Sequence, residues 1–86
     1  MPIISVFFGI AIRLYHNDHN PPHFHASYGD SEVIIEIKTG KILSGKLPPR
    51  GLKLVEEWRK KYVIELNSSW NMAVAMKSPK RIKGLE

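Results

Sequence analysis

The stretch YHNDHNPPHFHASYGD, residues 15–30, holds every histidine of this 86-residue chain. His16, His19, His23 and His25 are spaced H-x2-H-x3-H-x-H around the double proline Pro21–Pro22. Imidazole changes charge near pH ~6.5 and ligates metals when neutral, so such a cluster has three chemistries open to it. The first is a metal site. Residues two apart on a strand project from one face, so His23 and His25 can share an ion. His16 or His19 would come in from the preceding loop as a third ligand, with Asp18 in reserve. An all-nitrogen set suits zinc, nickel or copper, and three such ligands leave a position open for water. The spacing matches no closed zinc-finger pattern. The second is metal-free acid–base catalysis. One imidazole would activate a ribose 2′-hydroxyl and the other protonate the leaving 5′-oxygen, while Arg13 or Arg50 steadies charge developing on phosphorus. The third is structural. His16 and His19 would bond within a turn, and His23 and His25 would be exposed residues contacting Glu32 or Glu36 across the sheet.

Those side chains need strands to hold them. From Ile3 to Tyr15 the chain is dense in Ile, Val and Phe and then alternates, with Ile10, Ile12 and Leu14 on one face. Gly9 marks a bulge or a break between two short strands. The segment HNDHNPP ends this run, because Asn and Asp favour turns and proline cannot donate to a ladder. In HFHASYG, Phe24, Ala26 and Tyr28 take the core side. His23, His25 and Ser27 then face outward into water. Val33, Ile35 and Ile37 form the inner side of the next strand, KTGK at 38–41 is a tight hairpin, and KILSGKL makes a short last strand. Strands joined by such short turns form an antiparallel meander.

After Pro49 the period changes. Leu52, Val55, Trp58, Tyr62, Leu66, Trp70 and Ala73 recur at steps of three or four, a helical stripe whose aromatics belong to the core rather than to a base-stacking platform. An unbroken helix over 49–74 would run about 39 Å, longer than a small sheet, so a kink or restart is expected near Asn67–Ser69. The expected fold is α+β: a meander of three to four strands packed on one long or kinked C-terminal helix, forming a single domain over 1–76. A basic tail over 77–86 is expected to be loose, or ordered only against a partner.

Composition narrows the classes. The hydrophobic share of 43% is that of a globular protein, and the absence of cysteine excludes disulfides and thiolate-held metal. The apolar N-terminus has no basic leader and is interrupted by Arg13, so neither export nor membrane insertion is expected and a cytoplasmic location is. A domain this small gains from dimerising. The net charge of +5 is unevenly placed: residues 1–43 carry three basic and four acidic groups (−1), residues 44–86 ten and four (+6). That asymmetry suits a polyanion such as RNA, with Lys46, Arg59, Lys60, Lys80 and Arg81 as phosphate contacts. Gly-rich phosphate loops, a Ser–His–Asp order and paired catalytic carboxylates are absent.

The segments D-H-N-P-P-H-F-H-A (Asp18 to Ala26) with a following Y-G, T-G-K-I-L-S-G-K-L-P (Thr39 to Pro48) and R-G-L-K-L-V-E-E-W (Arg50 to Trp58) resemble a widespread prokaryotic family of small domains of unknown function. The resemblance covers nearly the whole chain, with Gly51 standing where alanine is expected in relatives. It implies one component of a toxin–antitoxin-like pair, whose partner is a small protein encoded by a neighbouring gene. A weaker likeness is to mRNA-interferase toxins with a double-stranded-RNA-binding-like fold, whose initial helix an apolar strand replaces here. The combined expectation is a domain acting on RNA through the histidine cluster. The alternative is a non-catalytic module that grips a protein, or a zinc or nickel ion, through the same surface.

Overall fold

The computed structural model describes residues 3–15 and 20–85. Its sheet has five strands rather than three or four: β1 (Ile3–Phe7), β2 (Ile10–Arg13), β3 (His23–Tyr28), β4 (Ser31–Glu36) and β5 (Ile42–Gly45). They lie antiparallel in sequence order. The additional strand comes from the N-terminal apolar run, which folds back on itself at Phe8–Gly9. Phe7 pairs with Ile10, leaving a two-residue loop in which Phe8 has φ +50° and Gly9 φ +80°. Positive φ at both positions is the turn geometry that matches the right-handed twist of a hairpin, and it favours Asn and Gly. A bulky residue such as Phe8 bears a cost there of roughly 1–2 kcal/mol.

One helix was expected; two form, α1 (Pro49–Lys61) and α2 (Val63–Val74). The break falls at Tyr62, not at Asn67–Ser69, which lie inside α2. Tyr62 leaves helical geometry at φ −120°, ψ 26°, and its N–H is shared between the carbonyls of Trp58 and Arg59. The restart lets one apolar stripe meet two surfaces: Trp58 stacks on Phe7 and edge-on to Phe24, while Trp70 reaches His23. The stripe itself is as the spacing predicts, with Val55, Trp58, Leu66, Trp70 and Ala73 buried and Leu52 and Tyr62 packed against them. Beneath it lie Ile10, Ile12, Leu14, Phe24, Ala26, Val33 and Ile35. Tyr28, expected among them, is instead 48% exposed at the end of β3. The residues of β5 are all exposed.

The C-terminal segment is not loose. Ile82 is buried and its N–H donates to the Ile4 carbonyl at 2.6 Å; Trp58 Nε1–H donates to the Lys83 carbonyl at 2.9 Å, and the Ser69 hydroxyl to the Lys80 carbonyl at 3.1 Å. The tail therefore covers β1, an apolar strand that would otherwise end the sheet with unpaired backbone groups. None of the described helices is long and apolar enough to cross a membrane.

Gly51, in the first turn of α1, is a place where the chain is less stable than it could be. A β-carbon there would lie 3.8 Å from Leu47 and 4.0 Å from Ile10, ordinary contact distances. Gly51→Ala is expected to stabilise the domain by about 0.5–1 kcal/mol, because alanine loses less backbone entropy in a helix. Thermal unfolding checks this, and a lowered midpoint would show that the site has no such room.

Candidate functional site

The histidines that the structure describes sit in the middle of the sheet. Strand alternation puts Phe24 and Ala26 inward at 0% exposure and turns His23 and His25 to the opposite face, their ring centroids 5.4 Å apart. The shared face is as expected, but its wetness is not. His23 is buried, with the Trp70 ring 5.2 Å away. The side chain of His25 is only 14% exposed, with Tyr15 edge-on at 4.4 Å. The reading of both as exposed strand residues is therefore corrected: α2 brings Trp70 against one ring and the end of the β2 segment brings Tyr15 against the other.

The His23 ring is oriented through Nδ1. The His23 Nδ1 lies 2.7 Å from the Pro21 carbonyl, which can only accept, so that nitrogen carries the proton and donates. The Nδ1 of His25 lies 3.6 Å from Glu32 Oε2 on β4, whose side chain is half exposed. Arg13 on β2 is the direct cross-strand partner of His25, and its Nη1–H donates to the Ser27 hydroxyl at 2.8 Å. One face thus gathers an imidazole pair, a guanidinium, a carboxylate and a hydroxyl. His16, His19 and Asp18 lie outside the described residues. Among those described, no three His, Asp or Glu side chains converge into a metal-binding group.

The other sequence candidates scatter. Arg50 does not join the histidines; it lines a separate cavity with Phe8, Ile10, Tyr28 and Leu54. Lys46, Lys60, Lys80 and Arg81 are exposed, the last two beside a groove of about 330 Å³ that includes Ile64 and Ser68. Arg59, expected to meet phosphate, is 6% exposed and committed to the fold. Its Nε–H and Nη2–H bind the two carboxylate oxygens of Glu56 at 2.9 and 2.5 Å, and its Nη1–H donates to the Ile37 carbonyl at 2.9 Å. Gly40 makes this possible, because a β-carbon there would sit 2.8 Å from the Arg59 Nε.

The Glu56 carboxyl is consequently held below the ordinary glutamate range, first by its hydrogen bonds from Arg59, against an opposing effect of burial, and then by the charges of Arg59 and Lys60. A carboxyl depressed in the folded state contributes stability that is fully present above its unfolded pKa. That stability is lost as pH falls through the folded one. Glu56→Gln is therefore expected to lower stability at neutral pH and to converge with the wild-type protein in acid. Denaturant unfolding at both pH values checks this; an equal deficit at each would assign the effect to shape rather than charge.

Two site residues escaped sequence reasoning. Tyr15 shares the odd-numbered parity of Arg13, so alternation carried a signal for it. Trp70 belongs to the apolar stripe as expected, and nothing in its spacing says that it would meet an imidazole. The histidine-bearing strand and its neighbours lie within residues 9–71, the stretch matched by the family described as Domain of unknown function (DUF4160). Neither a curated protein nor a solved structure matches the chain. Spanning well over half of the sequence and including β2 through α1, that match makes this chain a member of the DUF4160 family.

Proposed function

We propose that the domain acts on RNA through the outer face of β3, as one component of a toxin–antitoxin-like pair, with His25 as its acid–base residue. The observation that carries the reading is the carboxylate of Glu32 at 3.6 Å from His25 Nδ1, next to Arg13 on the adjoining strand. A carboxylate facing one ring nitrogen stabilises the imidazolium that forms when the other nitrogen takes a proton. His25 Nε2 would accept the proton of a ribose 2′-hydroxyl. The 2′-oxygen then attacks phosphorus, the bond to the 5′-oxygen breaks, and that oxygen takes the Nε2 proton of His23. His23 enters the step as an imidazolium and leaves it neutral, with Nδ1–H still on the Pro21 carbonyl. The products are a 2′,3′-cyclic phosphate and a 5′-hydroxyl. Arg13 would stabilise charge on the phosphoryl oxygens. The exposed Lys46, Lys60, Lys80 and Arg81 would add salt-sensitive affinity for the backbone. Induction of the wild-type protein in bacteria is expected to arrest growth and deplete transcripts, and co-expression of the neighbouring gene's product to relieve both. Unchanged growth and intact transcripts would contradict the proposal.

A second reading is favoured by His23. A backbone carbonyl accepting from Nδ1 is the arrangement found behind metal-ligating imidazoles. The centroid separation of 5.4 Å also resembles the ~5 Å expected of two imidazoles on one tetrahedral ion. On this reading the face binds zinc or nickel, or a partner protein, without catalysis. Stoichiometric metal in untagged protein, lost on replacing His23 and His25 together, with no RNA depletion, would support it.

A further inference from the structure

We infer that the cavity between the β1–β2 turn, the end of β3 and the start of α1 is a binding site for a small aromatic carboxylate, unconnected with the histidine face. The cavity is open to solvent on one side and measures about 500 Å³, within the range of small-molecule sites, and Phe8, Ile10, Tyr28 and Leu54 give it apolar walls. Arg50 supplies a cation, and among the described residues no acidic side chain lines the space.

The β1–β2 turn argues that this surface does more than close a hairpin. A turn with positive φ at both central residues favours asparagine at the first, yet Phe8 occupies it at φ +50° with 60% of its surface exposed. An exposed aromatic held in a strained backbone adds little to the core, and such strain is concentrated at ligand clamps. The next residue sets the opposite wall. A β-carbon on Gly9 would lie 3.2 Å from the Tyr28 ring, so glycine there lets Tyr28 sit against the turn. The two aromatic residues and the guanidinium match a ligand with a flat apolar body and one negative charge. A second copy docking here about a two-fold axis would bring two Arg50 side chains together with no carboxylate among the described residues of the cavity wall, so charge disfavours that occupant.

The test uses benzoate as probe and benzyl alcohol as its uncharged counterpart, followed by amide NMR shifts on the full chain. Benzoate is expected to perturb Gly9, Gly51 and Leu54, and to bind about tenfold more tightly than benzyl alcohol, as a charge-assisted contact implies. Arg50→Gln should abolish that preference. Phe8→Asn should weaken benzoate binding by about tenfold without lowering the thermal midpoint, because asparagine suits the turn. Absence of shifts at these residues, equal binding of the two probes, or concentration-dependent shifts in probe-free protein that mark self-association would each overturn the inference. None of these results bears on RNA cleavage, which is read in a separate assay.

Discussion

Trp58→Ala is expected to remove about 3–5 kcal/mol of stability, a large share of the roughly 5–15 kcal/mol that holds a domain folded. Trp58 is fully buried and joins three parts of the molecule. Its ring stacks on Phe7 of β1 at 5.4 Å and meets Phe24 of β3 edge-on at 5.7 Å, and its Nε1–H holds the tail at the Lys83 carbonyl. Truncation would open a cavity under the sheet and leave that carbonyl without its indole donor. Trp58→Phe should keep most of the packing and lose the hydrogen bond, costing roughly 1–3 kcal/mol. Urea unfolding followed by circular dichroism measures both. A loss under ~1 kcal/mol for the alanine variant would mean that the helices do not depend on this contact.

His25→Ala is expected to reduce RNA turnover by about 10²–10⁴-fold, the contribution typical of a positioned acid–base group, while leaving the fold intact. The side chain of His25 lies on the sheet face opposite Phe24 and Ala26, so its removal does not open the main core. Glu32→Gln should lower turnover less, by about tenfold, because the carboxylate acts only through the charge it sets beside the ring. Unchanged turnover in Glu32→Gln would place Glu32 outside the mechanism. Arg50→Ala should leave turnover unchanged, since Arg50 lines the other cavity.

How much of this was legible in the sequence depended on whether local pattern or distant packing decided each feature. Alternation through Phe24, His25 and Ala26 fixes which side each residue faces, and the helical stripe from Leu52 to Ala73 is read from spacing alone. The burial of His23 could not be read that way, because it depends on Trp70 arriving from α2, 47 positions later in the chain. The same limit explains Arg59. Its position in a basic run suggests a solvated face, whereas a hairpin carbonyl at Ile37 and a carboxylate at Glu56 draw it into the interior. Phe8 acted in a different manner: the break at Gly9 is one of two readings the pattern allows, and because the residue type of Phe8 argues against a positive-φ turn the strand count stays at three to four rather than five. Tail docking was hidden because a lone Ile82 among lysines carries no periodic signal.

The most direct measurement incubates purified, untagged domain with a defined RNA oligonucleotide in EDTA across the neutral pH range and analyses the chemistry of the ends. The account predicts products with 2′,3′-cyclic phosphate and 5′-hydroxyl termini from the wild-type protein, and intact RNA from His25→Ala. Intact RNA with both proteins, or the same cleavage by both, would contradict it.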